Sequence, residues 1–114
     1  MREIKFYTTS AGRCPVQEDL DDLPDKTVQK IAWVLRVVRD LDRVPADYFK
    51  KLVNTDDIWE VRVDVGHNTF RLLGFFAGRE VIVLTNSFQK KTQETPQTEI
   101  RLAEERKAEY LSRR

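Results

Sequence analysis

Apolar and polar residues alternate in the middle of the chain, and this pattern predicts a set of short strands. The first strand is predicted at residues 58–65, where from Trp59 onward apolar side chains alternate with charged ones, which is the two-residue period of a half-buried strand. Two more apolar segments follow at 70–76 and 80–86, separated by glycine-containing turns at 66–69 and 77–79. One face of each strand is therefore expected in the core, and the first strand carries charge on its other face.

The rest of the chain shows one further strand and three helical patterns. Residues 3–8 predict an opening strand, and residues 15–23 a short helix with Pro15 in its first turn. The strongest helical pattern runs from 25 to 41, with one apolar stripe formed by Val28, Ile31, Leu35 and Val38. Thr95 as an N-cap and Pro96 at the first helical position predict a last helix ending near Leu111.

The predicted order is β-α-α-β-β-β-α within a single domain spanning residues 1–114. Two consecutive helices after one strand form a helical hairpin, which must cover a sheet face. We therefore predict an α+β fold with a mainly antiparallel four-stranded sheet, a helical hairpin on one face and a C-terminal helix. Residues 45–57 have no regular pattern and are expected to connect the helices to the sheet.

Composition narrows the class of protein without indicating a function. Hydrophobic residues make up 40% and charged residues 34% of the chain, as in soluble globular proteins. No apolar segment is long enough to cross a membrane and the opening residues do not resemble a signal peptide, so a cytoplasmic protein is expected. One cysteine and one histidine give neither an internal disulfide nor an ordinary zinc site, and we predict no metal. Because the net charge is +1, any anion site must be local.

The first hairpin predicts a charged sheet face. If its turn pairs Val65 with Phe70, then Asp64 lies opposite Arg71, and Arg71 shares a face with Glu60 and with Arg62. The purely structural interpretation of this face is a set of surface ion pairs between its arginines and carboxylates, which would stabilise the fold by roughly 0 to 1 kcal/mol.

The second hairpin extends that face toward a basic tail at residues 88–92. A two-residue turn at 78–79 would place Arg71 opposite Asn86, with Phe88, Lys90 and Lys91 following where the strand ends. Phe88 has two interpretations, a ring that stacks on a base or a core residue. Lys50 and Lys51, in the irregular segment, either contact phosphate or belong to a solvated loop.

These residues also carry a resemblance to a known family. The element order, the segments WEVR at 59–62 and FRLL at 70–73, and above all NSFQKKTQETP at 86–96 resemble the RelE/HigB superfamily of toxins from type II toxin–antitoxin systems. The chain is most similar to the phage-derived HigB-like branch, and the resemblance covers nearly its whole length.

The resemblance implies a curved sheet, an endoribonuclease that cuts mRNA on the ribosome without a cofactor, and a cognate helix-turn-helix antitoxin. Arg71 falls on the family's strand arginine near the scissile phosphate. Lys91, with Lys90 as its alternative, falls on the basic residue after the last strand, and Arg62 matches the arginine of the preceding strand. The RNA-binding residues expected around them are Lys90, Phe88, Asn86, Lys50 and Lys51.

The chain departs from the family at the catalytic positions. Ile58 and Glu60 stand where RelE has lysines, no tyrosine lies near the start of the last helix, and the only histidine, His67, lies in a turn. Glu60 is the expected general base, with Asp64 as its competitor. Two hypotheses therefore stay open: a metal-independent mRNA endoribonuclease, and a non-catalytic module of the same fold that binds RNA or an antitoxin.

Overall fold

In the part of the chain that the structure describes, five strands form one mixed sheet, and three helices pack on its two faces. The computed structural model describes residues 1–91 and 94–113. Its elements are, in chain order, β1 (Glu3–Phe6), α1 (Pro15–Asp21), α2 (Asp25–Asp40), β2 (Phe49–Lys51), β3 (Trp59–Val65), β4 (Asn68–Phe76), β5 (Val81–Lys90) and α3 (Gln97–Ser112). The strand order across the sheet is β1-β5-β4-β3-β2, in which β1 runs parallel to β5 and the other neighbours are antiparallel.

The predicted four-stranded sheet is wrong by one strand. β2 lies inside the segment 45–57, which we expected to be irregular, and it pairs antiparallel with β3 through Phe49 and Val61. Three residues are too few to show a two-residue period, so the sequence pattern gave no sign of it. The α+β class and the mainly antiparallel sheet are confirmed.

The helices begin close to their predicted positions, with one change at α3. α1 begins at Pro15, and α2 covers nearly the whole predicted range. Thr95 does not cap α3: Pro96 is the N-cap residue, and no side-chain capping bond is present there. In the described part of the chain, each helix is too short or too polar to traverse a bilayer.

The sheet is buried on both faces, by different helices. On one face, α1 and α2 cover a core that includes Ile31, Val38 and Leu72. On the other face, α3 covers a second core, which includes Leu73 and Ala103. Neighbouring residues of β4 are thus buried on opposite sides, which explains why this strand is apolar at nearly every position.

A β-bulge between β4 and β5 adjusts the sheet under α3. The pairing steps from Leu73 with Asn86 to Gly74 with Leu84, so that Thr85 is the extra residue. The Thr85 hydroxyl donates a hydrogen bond to the Leu73 carbonyl oxygen at 3.2 Å. Because the strand gains one residue here, Asn86 faces α3 even though it lies three positions after Val83, which packs on the same side.

Candidate nucleic-acid interface

Three rows of paired residues cross the α3-facing side of the sheet, and they bring four basic side chains together. Leu73, which belongs to the core under α3, fixes the face on which the rows lie. The rows contain Lys50, Glu60, Leu73 and Asn86 in the first, Arg62, Arg71 and Phe88 in the second, and Asp64, Thr69 and Lys90 in the third. We call Lys50, Arg62, Arg71 and Lys90 the cation cluster; each lies on a different strand from β2 to β5.

The predicted register of the first hairpin is wrong by two residues, although the predicted face is confirmed. Val65 pairs with Asn68 instead of Phe70, because the turn contains only Gly66 and His67. Gly66 has φ +60°, which suits the first central position of a type II′ turn. A shift of two keeps every side chain on its face, so Arg71 still shares a face with Glu60 and Arg62, but it lies opposite Arg62.

The predicted register of the second hairpin is also wrong, since Arg71 lies opposite Phe88 and not Asn86. The loop before β5 is longer than the two residues expected, with the Ala77 amide bonded to the Val81 carbonyl oxygen, and the bulge adds one residue more. As a result, the basic end of β5 lies two residues closer to Arg71 along the strand than predicted.

Arg71 and Glu60 form a buried ion pair, where the sequence indicated a surface arrangement. Only 5% of Arg71 and 1% of Glu60 are exposed. Arg71 Nη1 donates to Glu60 Oε1 at 2.6 Å, and the Thr95 hydroxyl donates to Glu60 Oε2 at 2.5 Å. Burial lowers the pKa of Arg71, and the Glu60 carboxylate opposes that effect. Arg71 Nε is buried and has no hydrogen-bond partner among the described residues.

Both oxygens of Glu60 are therefore occupied, which bears on its predicted role as the general base. A carboxylate that already accepts from Arg71 and Thr95 fixes the guanidinium in place. Asp64, the competing base, is exposed and accepts from the Thr69 hydroxyl at 2.8 Å and from Arg62 Nε at 3.3 and 3.4 Å. Burial would raise the pKa of Asp64, but Thr69, Arg62 and the positive charge of Arg71 together outweigh it and lower the pKa.

Lys90 is the member of the cluster at the end of β5, and its charge interacts with the other three. Burial lowers its pKa first, and Arg71 next; Lys50 and Arg62 lower it further, while Glu60 acts in the opposite direction. Lys91 follows β5 directly and is exposed, so its catalytic role stays a prediction. Thr92, the end of the predicted basic tail, lies outside the described residues.

Two residues expected to bind RNA are tied into the core instead. Only 3% of Asn86 is exposed, and its side-chain amide donates to the backbone carbonyl and to the carboxylate of Glu99 at 3.2 and 2.9 Å. The Asn86 side-chain oxygen accepts from the Thr85 hydroxyl at 2.6 Å. Phe88 is half-buried and packs against the core under α3. Asn86 therefore fastens β5 to the first turn of α3, and Phe88 fits the core interpretation.

The two adjacent lysines of β2 point to opposite faces. Lys50 is exposed and lies opposite Glu60, on the side of the cation cluster. Lys51 lies opposite Trp59, on the other side of the sheet, and its ammonium group pairs with Asp57 at 2.5 Å. Lys50 can therefore contribute to binding an anion at the cluster, whereas Lys51 belongs to a separate ion pair.

The sequence did not identify Thr95 as part of the site. A threonine before a proline at a helix start is the usual pattern of a cap, so the sequence predicts that its side chain bonds to the helix backbone. Its hydroxyl instead reaches Glu60, a residue 35 positions away in the sequence. The described residues contain no group of three or more His, Cys, Asp or Glu side chains that could hold a metal ion.

Comparison with known proteins identifies a family. The model of the family described as phage derived protein Gp49-like (DUF891) matches residues 18–108. This range includes the whole cation cluster together with Glu60 and Thr95. This is a RelE/HigB-like toxin family. No curated protein matches the chain.

Proposed function

This chain belongs to the phage-derived Gp49-like family, and from that premise we propose that it is the toxin of a type II toxin–antitoxin system. In this proposal the toxin is an endoribonuclease that cuts ribosome-bound mRNA with its own side chains and without a metal ion, and it acts in the cytoplasm. The proposal also places the toxin in the phage-derived HigB-like branch of the RelE/HigB superfamily.

The observation that carries the proposal is the cation cluster. Lys50, Arg62, Arg71 and Lys90 occupy four neighbouring strands on one face, and only Glu60 and Asp64 bring negative charge into the same rows. A local excess of positive charge on a chain whose net charge is only +1 is what a phosphate-binding site requires. Neighbouring strands lie about 4.8 Å apart, so the cations can surround one phosphate from several sides.

Each member of the cluster has a role in this mechanism. A base removes the proton of the ribose 2′-hydroxyl, the 2′-oxygen attacks the scissile phosphorus, and the bond from phosphorus to the 5′-oxygen of the next nucleotide breaks as that oxygen is protonated. Negative charge develops on the phosphoryl oxygens during this step, and a preorganised guanidinium stabilises that charge best. Glu60, which itself accepts a hydrogen bond from Thr95, holds Arg71 in one orientation, so little reorganisation is needed when the charge forms. Arg62 and Lys50 bind the flanking backbone, while Lys90 and Lys91 complete the positive surface at the end of β5.

A second candidate is a non-catalytic module of the same fold that binds RNA or an antitoxin. The observation that favours it is the double engagement of Glu60, which leaves Asp64 as the exposed carboxylate in the rows. Asp64 also has a pKa below its ordinary value, and a lowered pKa weakens a carboxylate as a proton acceptor.

The cognate antitoxin is the proposed partner. An exposed basic surface is complementary to an acidic segment that orders on binding. The resemblance to the toxin superfamily implies an antitoxin that is commonly a helix-turn-helix protein encoded beside the toxin. Co-expression with the product of the adjacent reading frame tests this directly. The two proteins are expected to co-purify, and separation of the two at physiological salt would contradict the partnership.

The activity is tested by expressing the protein from a tightly controlled promoter and mapping new mRNA ends. The informative variants are Arg62→Ala and Lys90→Ala, since neither side chain belongs to the buried Glu60–Arg71 pair. Arg79→Ala is the matched control, because Arg79 is an exposed cation in the loop at the other end of the β4–β5 hairpin.

The expected result is growth arrest with new mRNA ends for the wild type and the control, and loss of both for the two variants. Arrest without new ends would favour the binding module. Wild-type levels of cleavage by folded Arg62→Ala and Lys90→Ala proteins would contradict the assignment of the site.

A further inference from the structure

A recess opens beside the cation cluster, at the outer edge of β3. It has a volume of about 360 Å³ and is lined by Lys30 of α2, Asp47 and Tyr48 of the segment before β2, and Arg62 and Asp64 of β3. We propose that this recess, which we call the edge pocket, binds a nucleobase of the RNA next to the scissile phosphate, and that guanine is the base it prefers. This inference rests on the proposed function.

The sheet leaves room for the edge pocket because β2 is short. Its pairing with β3 ends at Phe49 and Val61, and the next contact is a hydrogen bond from the Arg62 amide to the Tyr48 carbonyl oxygen at 2.8 Å. Within the described chain, the remainder of β3 toward Val65 therefore has β4 on one side and no strand on the other. The chain before β2 turns here, with the Tyr48 amide bonded to the Pro45 carbonyl oxygen, and closes one wall of the recess.

The edge pocket has an aromatic wall that is held in place. Tyr48 is half-buried, and its ring forms a T-shaped contact with the Trp33 ring, with the ring centres 5.9 Å apart and the planes at 81°. The ammonium group of Lys30 lies 5.4 Å from the centre of the Trp33 ring. A fixed tyrosine ring offers a surface on which a base can stack, a contact worth roughly 1 to 3 kcal/mol in single-stranded RNA complexes.

Charge distinguishes the edge pocket from the cation cluster. The pocket is lined by two basic side chains, Lys30 and Arg62, and by two carboxylates, Asp47 and Asp64. An isolated phosphate would meet as much repulsion as attraction there. A neutral group that accepts hydrogen bonds on one edge and donates them on another can use both kinds of side chain.

Guanine has that distribution of groups. Its O6 and N7 atoms accept hydrogen bonds from an arginine or a lysine, and its N1–H and N2–H groups lie side by side and can both donate to one carboxylate. Adenine and cytosine each have one exocyclic amino group and no adjacent ring N–H, and uracil has a ring N–H but no amino group. Paired carboxylates and cations around an aromatic wall therefore favour guanine over the other three bases.

Arg62 joins the edge pocket to the reaction. It lines the pocket and also lies opposite Arg71 in the β3–β4 pairing. A base held against Tyr48 thus belongs to a nucleotide whose phosphate is within reach of the cation cluster. The edge pocket would then select where the chain is cut, while Arg71 acts on the phosphate.

The test compares mRNAs in programmed ribosomes that differ only in the bases flanking the cut, with each of the four bases at each position. The wild type is expected to cut RNAs with guanine at one of these positions roughly five- to a hundredfold more efficiently, measured as kcat/KM. Asp47→Asn and Tyr48→Leu are expected to lose most of that preference. Asp42→Asn is the control, since Asp42 is exposed and lies outside the edge pocket.

Direct binding separates this inference from the proposed function. The four nucleoside 5′-monophosphates share one phosphate and differ in the base, so their relative dissociation constants report the edge pocket alone. Selective binding of GMP, with amide NMR shifts at Tyr48 and Arg62 that disappear in Asp47→Asn, would support the pocket even if no RNA were cut. Equal binding of all four nucleotides, or an unchanged base preference in Asp47→Asn, would overturn it and leave the proposed endoribonuclease standing.

Discussion

Arg71 reaches across the β3–β4 pairing to Glu60, and the two side chains form an ion pair that is almost completely buried. The donor and acceptor atoms, Nη1 and Oε1, are 2.6 Å apart. Arg71 thus does two things in one place: it carries the charge proposed to act on the phosphate, and it neutralises a carboxylate inside the sheet. Any experiment on Arg71 must separate these two effects.

Removing Arg71 alone is expected to destabilise the protein. Arg71→Ala leaves the Glu60 carboxylate buried without its cation, and loss of one partner of a buried pair costs about 3 to 5 kcal/mol. The double variant Glu60→Gln/Arg71→Met removes both charges and keeps an oxygen that can accept from Thr95, so it should regain most of that stability. The free energy of unfolding from urea titration measures both effects.

The double variant Glu60→Gln/Arg71→Met separates the role of Arg71 in cleavage from its role in folding. The double variant is expected to be folded and inactive in mRNA cleavage, because the guanidinium is gone. A double variant that cuts mRNA at the wild-type rate would show that Arg71 acts only in folding. Equal stability of Arg71→Ala and the wild type would instead contradict the buried pair.

Thr95 is expected to matter through its hydroxyl. Thr95→Val keeps the shape and removes the donor to Glu60 Oε2, and a hydrogen bond to a charged group is worth about 1.5 to 3 kcal/mol. Thr95→Ser should retain both stability and cleavage. Thr98→Val, at an exposed threonine of α3, is the control. Identical unfolding curves for Thr95→Val and Thr98→Val would mean that the hydroxyl contributes nothing.

Gly74 is expected to tolerate no larger side chain. A Cβ atom there would lie less than 3.0 Å from the backbone carbonyl oxygen of Val83, which cannot move without breaking the bulge. Gly74→Ala should therefore cost about 1 to 3 kcal/mol through overpacking alone. Gly66→Ala is the comparison, since its Cβ meets open space and its penalty of about 1 to 2 kcal/mol comes from the positive φ. A small effect of Gly74→Ala would contradict the close approach of β4 and β5.

The repeating pattern of apolar residues predicted the three helices and the longer strands. It did not predict β2 or the register of the two hairpins, which depend on pairing between strands. The apolar stripe of α2 identified Ile31 and Val38, which are buried as expected. The register of both hairpins was wrong because loop length and the bulge at Gly74 depend on contacts between strands. The predicted sheet face of Arg71 is nevertheless correct. The register of the β3–β4 hairpin was wrong by two residues, and a two-residue shift leaves the direction of each side chain unchanged.

The burial of the site was also missed, although the sequence contained a sign of it. The seven residues from Phe70 to Phe76 read FRLLGFF, and a segment that is apolar at nearly every position is typical of a strand covered on both faces. Arg71 in such a strand needs a buried partner. That this partner is Glu60, and that Thr95 completes it, depends on the packing of α3 on the sheet and could not be read from spacing.

Lys90 is expected to make RNA binding dependent on pH. Burial and the neighbouring Arg71 lower its pKa below the ordinary lysine value of 10.5, so its charge is lost at a lower pH than that of an exposed lysine. The contribution of Lys90 to phosphate binding is thus complete below the lowered pKa and disappears as the pH rises through it.

In Lys90→Arg the charge persists, because a guanidinium stays protonated, and in Lys90→Met it is absent at every pH. The dissociation constant of a short RNA, measured from neutral pH up to 10.5 with folding followed by circular dichroism, should rise with pH for the wild type, stay flatter for Lys90→Arg, and be uniformly higher for Lys90→Met. If the wild type and Lys90→Arg gave parallel curves, the pH dependence would belong to another group, and the position of Lys90 beside Arg71 would have no consequence for binding.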